Sequence, residues 1–146
     1  RGLQLPRRLV VSSRAGPQIP LARAPLHELA GERLVAEVRD RYGGIPEQVL
    51  ADPDLLELML PVLQADLEVY ETYVHHDEPP LPVPVTAIAG DEDPLVDRDG
   101  LRAWGEQTSA GCTVHRLPGG HFYLGEGARA FFELLRGELE RRDPVR

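Results

Sequence analysis

Two short loops carry the residue types that acid–base chemistry needs. Asp91, Glu92 and Asp93 follow one apolar run, and His121 follows another through Gly119-Gly120. In nucleophilic acyl transfer an imidazole takes the proton of the nucleophile, and a carboxylate fixes the tautomer of that imidazole. An aspartate in one loop and a histidine in the next therefore predict an acid and a base that act together.

The elements that must position these loops follow from the apolar patterns. Short apolar runs predict strands, and apolar residues at three- to five-residue spacing predict helices. The strands are predicted at 8–13, 81–89 and 112–117, and the helices at 26–42, 52–74, 99–109 and 126–142. This alternation predicts an α/β fold, in which right-handed crossovers place the strands in parallel. Because the carboxyl ends of parallel strands share one edge, both loops are expected there.

The helix at 52–74 has a clear beginning and an internal interruption. Asp52 is placed as its N-cap and Pro53 as its first residue. Pro61 has no N–H to donate and clashes with the preceding turn, so we expect it to kink the helix or divide it in two.

Four segments give a specific resemblance. Residues 87–96 and 117–124 resemble the acid loop and the histidine loop of the stand-alone (type II) thioesterases of polyketide and non-ribosomal peptide assembly lines. Residues 9–17 and 60–73 are similar to the strand before the lid and the helix after it in that family. The resemblance implies the C-terminal part of an α/β-hydrolase fold.

The resemblance also implies roles. It makes Asp93 the triad acid and His121 the general base. It also implies one partial domain over residues 1–146, in which residues 21–78 form a helical lid and connecting region. It implies hydrolysis of acyl groups from the phosphopantetheine thiol of an acyl or peptidyl carrier protein. The residues alone allow the helices between residues 26 and 74 to be either a lid or an ordinary crossover. They also allow Arg33, Arg39 and Arg41 to be either a carrier-binding surface or ordinary surface charge.

The chain departs from the family at the nucleophile. It has no Gly-x-Ser-x-Gly elbow and no oxyanion-hole loop, and its serines, Ser12, Ser13 and Ser109, lack the flanking residues of an elbow. We therefore expect an incomplete hydrolase that is inactive alone, with a first strand left as an exposed edge and marginal stability or aggregation as a result. The alternatives are a non-catalytic remnant or interaction module, and an esterase of other specificity.

Composition narrows the classes of partner. The chain has 24 acidic and 16 basic residues, a formal charge of −8, which argues against nucleic acid. No apolar run approaches the roughly 20 residues of a membrane span. Cys112 is the single cysteine, so no intrachain disulfide can form and a cytoplasmic location is expected.

Neither a metal nor a cofactor is predicted. His75, His76, Asp77 and Glu78 are adjacent in sequence, so their side chains point apart and a solvated loop is the expected structure. Residues 91–93 lack the alternate-position spacing of a calcium loop. Cys112 begins a strand without a cationic neighbour and is expected to be a packed thiol.

Overall fold

The computed structural model describes residues 4–125 and 128–140, which form a parallel sheet and helices. The three strands are β1 (Leu9–Ser12), β2 (Val85–Gly90) and β3 (Cys112–Leu117), hydrogen-bonded in the order β1-β2-β3. Both strand pairs are parallel. The parallel α/β prediction is confirmed, and the bounds of β3 are those predicted.

The helices alternate with these strands along the chain. They are α1 (Gly31–Tyr42), α2 (Glu47–Leu50), α3 (Pro53–Glu71), α4 (Arg98–Arg102) and α5 (Ala128–Glu140), and a 3₁₀ segment (Ala103–Gln107) follows α4. The predicted ends of the last helix, at residues 126 and 142, lie outside the described residues. Among the described residues, none of these helices is both long and apolar enough to cross a bilayer.

Strand β2 is the centre of the sheet. All six of its residues are buried, as expected for a parallel strand covered on both faces. The strand begins at Val85 rather than at residue 81, because Pro82 and Pro84 have no N–H for the ladder. Leu81 instead forms an isolated parallel bridge with Thr108.

One face of the sheet has an apolar core. Its buried members are Ala87, Ala89, Val96 and Leu101. The indole ring of Trp104 packs against this core. Its N–H donates to the main-chain oxygen of Arg14, just after β1, at 2.9 Å. The helix predicted at 99–109 is present as α4 followed by a 3₁₀ segment, so its second half is 3₁₀ rather than α.

The other face carries a buried polar group that the sequence patterns did not predict. Glu138 of α5 is 3% exposed, and its carboxylate lies 3.1 Å from the guanidinium of Arg8. The hydroxyl of Thr86 in β2 donates to the same carboxylate at 2.9 Å. Arg8 also donates to that hydroxyl at 3.1 Å. This Arg8–Thr86–Glu138 network ties α5 to the sheet.

Residues Pro20–His76 form a compact unit distinct from the unit that contains the sheet. Its core is formed by Leu26, Leu34, Val38 and Leu67. The assignment of residues 21–78 as a lid and of residues 1–146 as one partial domain stays a prediction.

Two helix predictions in this unit need correction. Helix α1 begins at Gly31 rather than at residue 26, because the amides of Leu26 and His27 donate to the carboxylate of Glu71 instead of entering a helix. Helix α3 runs through Pro61 as one helix, so of the two predicted effects of this proline, a kink or a division, the division is wrong. The side chain of Asp52 accepts from the amides of Asp54 and Leu55, which confirms it as the N-cap.

Glu71 is a buried anchor for this unit. Its carboxylate also accepts from Nδ1 of His27 at 2.7 Å. Burial raises the pKa of Glu71, but the hydrogen bonds from the His27 and Leu26 amides and from the His27 ring outweigh it, so the pKa lies below its ordinary value of 4.5. The folded unit therefore favours the ionised carboxylate.

Replacing Glu71 with glutamine is expected to lower the free energy of unfolding by about 1–3 kcal/mol at pH 7, because buried donors lose a charged acceptor. Because the pKa of Glu71 is lower in the folded than in the unfolded protein, its ionised carboxylate stabilises the fold above pH 4.5. This stabilisation is lost as the pH falls from 4.5 through the lower pKa of the folded protein. Urea unfolding of both proteins from pH 7 to pH 3 should show the difference shrinking over that range. The matched control is Glu68→Gln, at an exposed position of the same helix; an equal loss there would contradict the prediction.

Candidate active site

The side chain of Asp93 is held in the loop after β2. Its amide donates to the carbonyl of Gly90 at 3.3 Å, which closes a turn at the end of the strand. Its Oδ1 accepts from the amide of Leu95 at 2.9 Å. Such local bonding to the backbone is typical of aspartate in turns, and it fixes the carboxylate. The side chain is fully buried, with 0% exposed.

The imidazole of His121 meets this carboxylate. His121 lies in the loop after β3, where Gly119 has a positive φ of 116° that favours glycine. Nδ1 of His121 lies 3.0 Å from Oδ2 of Asp93, and 16% of the histidine side chain is exposed. Since the ionised carboxylate only accepts, Nδ1 carries the proton and donates it. The structure thus brings together the two residues predicted to form the site.

The electrostatics of Asp93 match this geometry. Burial raises the pKa of the carboxyl group. The hydrogen bonds from His121 and from the Leu95 amide, the charge interaction with His121 and a bond from the Val96 amide together hold that pKa below its ordinary value. The carboxylate is therefore ionised at neutral pH and can stabilise an imidazolium.

The two loops are bonded directly to each other. The amide of Glu92 donates to the carbonyl of Gly119 at 3.0 Å, and the amide of Gly119 donates to Oδ1 of Asp91 at 3.0 Å. The guanidinium of Arg116, at the end of β3, donates to the carbonyls of Val96 and Asp91, both at 2.8 Å. These bonds fix the spacing between the carboxylate and the imidazole.

Gly90 allows the loops to approach closely. A Cβ at this position would overlap the carbonyl oxygens of Gly119 and Gly120, and main-chain atoms cannot move away as a flexible side chain can. In the sequence, a glycine at the end of a strand and before an acidic loop can indicate such a close approach, but it indicates an ordinary turn equally well.

Gly90→Ala is expected to lower the free energy of unfolding by about 1–3 kcal/mol, because the added methyl group overpacks two carbonyls. The matched control is Gly120→Ala, where an added Cβ has open space and should change stability by less than about 0.5 kcal/mol. Urea denaturation of the two variants tests this, and equal losses would contradict it.

Comparison with known proteins gives the family. The family model described as "Thioesterase domain" matches residues 1–139. The chain belongs to the thioesterase family. It is 37% identical over 134 residues to the gramicidin S biosynthesis protein GrsT of Aneurinibacillus migulanus, a match that covers 92% of this chain and 52% of GrsT. It is 38% identical over 121 residues to the thioesterase PikA5 of Streptomyces venezuelae, covering 83% of this chain and 42% of PikA5.

A solved structure gives the same fold. The RedJ thioesterase from the prodiginine biosynthetic pathway of Streptomyces coelicolor superposes with a TM-score of 0.79 at 33% identity, over 91% of this chain and 50% of RedJ. The predicted α/β-hydrolase fold is thereby confirmed, as a partial domain. The chain spans about half the length of these relatives.

The thioesterase chain has three serines, and each has a defined place. Ser109 donates its amide to Leu81, before β2 begins, and so lies at the opposite end of the sheet from Asp93. The hydroxyl of Ser13 donates to the main-chain carbonyl of His121 at 3.1 Å. Ser12 shares a hydrogen bond with the hydroxyl of Tyr123 at 2.9 Å. These two contacts join residues far apart in sequence, and no sequence pattern signalled them.

The residues considered for metal binding or reactivity do not join the site. In the described part of the chain, no three His, Cys, Asp or Glu side chains gather closely enough to hold a metal ion. His76, Asp77 and Glu78 are exposed in the loop before β2. Burial raises the pKa of the Cys112 thiol, as for a packed cysteine rather than a reactive one.

Proposed function

We propose that this chain supplies the acid and the base of a thioesterase that hydrolyses acyl groups from carrier-protein phosphopantetheine thioesters. The bond of His121 to buried Asp93 at the carboxyl edge of a parallel sheet is the observation that carries the proposal. Membership of the thioesterase family supports the reaction class, and the pathways named for GrsT and RedJ support the carrier-bound substrate.

The geometry suits the reaction as follows. Because Asp93 holds the proton on Nδ1, Nε2 of His121 is the nitrogen that accepts a proton from an attacking hydroxyl. The hydroxyl oxygen bonds to the acyl carbon, the carbon–sulfur bond breaks, and the imidazolium gives its proton to the departing thiolate. Water then attacks the acyl ester with His121 again as base, which releases the acid and restores the hydroxyl.

The nucleophile must come from outside these 146 residues. The chain contains no Gly-x-Ser-x-Gly elbow, and the hydroxyl of Ser13 already donates to a carbonyl. A fluorophosphonate, which labels activated serines, should therefore leave Ser12 and Ser13 of this chain unmodified. Labelling of either serine, read by mass spectrometry, would contradict this part of the proposal.

A chimera tests the function. The chain is joined to the part of GrsT outside the match, where the family carries its elbow, and this protein is called the GrsT chimera below. We expect it to hydrolyse acyl groups from a phosphopantetheinylated carrier protein, and the chain alone to be inactive. A folded chimera without hydrolysis would favour a non-catalytic module, and a preference for oxygen esters would favour an esterase.

We also propose that residues 21–78 act as a helical lid over the acyl chain. Along α3, Leu58, Val62 and Val69 repeat at four- and seven-residue spacing, which places them on one helix face, and they are 72%, 62% and 75% exposed. An exposed apolar stripe of this kind suits an acyl chain. Arg33 and Arg39 are exposed in the same unit and can meet the acidic surface of a carrier.

Val62→Asp in the GrsT chimera is expected to raise KM for long acyl groups by roughly tenfold, about 1.4 kcal/mol, and to leave short acyl groups unaffected. The reason is that a charge in the stripe opposes burial of a long chain. The matched control is Asp66→Asn, which removes a charge from an exposed position of the same helix. Equal changes for short and long substrates would contradict the lid.

A further inference from the structure

The end of β1 is bonded to the loop that carries His121. Ser12 and Ser13 close the strand, and their hydroxyls reach across to residues more than a hundred positions away. Ser12 Oγ and the hydroxyl of Tyr123 lie 2.9 Å apart, and Ser13 Oγ donates to the carbonyl oxygen of His121 at 3.1 Å. The main chain of the histidine therefore has a direct anchor on β1.

Ser13 adopts a backbone conformation that serine avoids. Its φ is 48°, and it is the one non-glycine residue with a positive φ in the described part of the chain. This left-handed conformation is strained for a residue with a Cβ and unstrained for glycine. Strain of this kind persists where the surrounding structure requires it and is frequent at functional sites. A glycine would fit the backbone better but could not donate to His121.

Tyr123 lies two residues after His121 and anchors the same loop. It is 2% exposed, and its ring packs edge-on against Phe131 of α5 at 6.2 Å between centroids. Its Cβ would lie 3.1 Å from a Cβ on Gly119, so it fills the space beside the turn before His121. The pKa of the Tyr123 hydroxyl lies above its ordinary value. Burial raises it, the hydrogen bond with Ser12 lowers it by less, and the charge of Asp93 raises it further.

We propose that Ser12 and Ser13 are positioning residues, which hold the histidine loop through Tyr123 and the His121 carbonyl so that Nδ1 stays on Asp93. This inference rests on the proposed function, since it assigns the two serines a part in placing the general base. Small displacements of a catalytic group are costly, because a shift of about 1 Å can lower a rate by 10²-fold. The serines act through His121 and do not touch the substrate.

The test uses Ser13→Gly and Ser12→Ala in the GrsT chimera. We expect kcat to fall about 10- to 100-fold in each, with KM unchanged. The melting temperature of Ser13→Gly should not fall, because glycine relieves the positive φ while it removes the hydroxyl. Ser109→Ala, at the opposite end of the sheet, is the matched control and should keep wild-type kcat.

A spectroscopic readout separates positioning from general damage. A proton shared between an imidazole nitrogen and a carboxylate resonates far downfield in proton NMR, and 15N-labelled histidine identifies it as an imidazole proton. Because His27 is paired in the same way with Glu71, the signal of His121 is the one that is absent from His121→Ala. We expect this signal to weaken or move upfield in Ser13→Gly and Ser12→Ala, and to be restored in Ser12→Thr, which keeps a hydroxyl. Tyr123→Phe should match Ser12→Ala, and the double variant should lose no more than either alone.

The outcomes distinguish this inference from the proposed function. If the chimera fails to hydrolyse thioesters, the proposed function is wrong, whereas the NMR signal still reports whether the serines hold the His121–Asp93 pair. Unchanged kcat and an unchanged signal in Ser13→Gly and Ser12→Ala would overturn the positioning role. The positioning role would also be overturned if kcat fell only in proportion to the loss of folded protein while the NMR signal of the folded fraction stayed unchanged.

Discussion

Replacing His121 with alanine in the GrsT chimera is expected to lower kcat for acyl-thioester hydrolysis by about 10⁴- to 10⁶-fold. In the proposed reaction the imidazole takes the nucleophile's proton and returns it to the thiolate, so its loss removes both proton transfers. KM should change little, because the histidine acts in the transition state rather than in binding. Steady-state and single-turnover rates with an acylated carrier protein measure the effect.

Two further variants make this result specific. His76→Ala removes an exposed histidine from the loop before β2 and should leave kcat unchanged. Asp93→Asn keeps the shape of the side chain but can donate to Nδ1, which favours the wrong tautomer, so a loss on the order of 10⁴-fold is expected. Equal rates for the wild-type protein and His121→Ala would remove the basis for the hydrolase assignment.

Local sequence was enough to predict that Asp93 and His121 lie at one edge of the sheet. The alternating run at residues 112–117 has the bounds of β3, and the apolar run at residues 81–89 predicts a buried central strand. Parallel order then requires Asp93 and His121 to leave the same edge of the sheet, since each follows the carboxyl end of its strand. Topology brings the two residues to one edge, and the hydrogen bonds between their loops set the distance of 3.0 Å.

The remaining features depend on contacts between distant residues, which periodicity cannot report. Helix α1 begins late because Glu71 takes the amides of Leu26 and His27, which lie more than forty positions away. The anchors of the histidine loop come from β1, through Ser12 and Ser13. Patterns of 3.6 and 2 residues show which face of an element is apolar, but they do not identify a polar partner across the fold.

Glu138 is the clearest example, because the sequence places it in helical register with Phe131 and Leu135 but does not identify a partner for its charge. In α5 this glutamate is 3% exposed and lies against Arg8, whose side chain is 8% exposed. Thr86 completes the network with a bond at 2.9 Å to the carboxylate. Nε2 of His115 lies 3.7 Å from the same carboxylate, beyond hydrogen-bonding distance. Two opposite charges thus share one buried position with a hydroxyl.

Glu138→Ala is expected to lower the free energy of unfolding by about 3–5 kcal/mol, because it removes the buried carboxylate that the guanidinium of Arg8 contacts at 3.1 Å. Urea unfolding measures the loss. The matched control is Glu133→Ala on the same helix, where the carboxylate is 61% exposed beside Arg129 and its loss should cost less than about 1 kcal/mol. Losses of similar size in the two variants would contradict the prediction.

A triple variant separates the cost of breaking the charge pair by removing one partner from the contribution of the pair itself. Arg8→Met, Thr86→Val and Glu138→Leu together replace the Arg8–Thr86–Glu138 network with apolar side chains of similar volume. Because the attraction between two buried charges is largely offset by the loss of their hydration, this variant should regain most of the stability that Glu138→Ala loses. If the triple variant is as unstable as Glu138→Ala, the polar network itself stabilises the packing of α5 on the sheet, and this prediction is wrong.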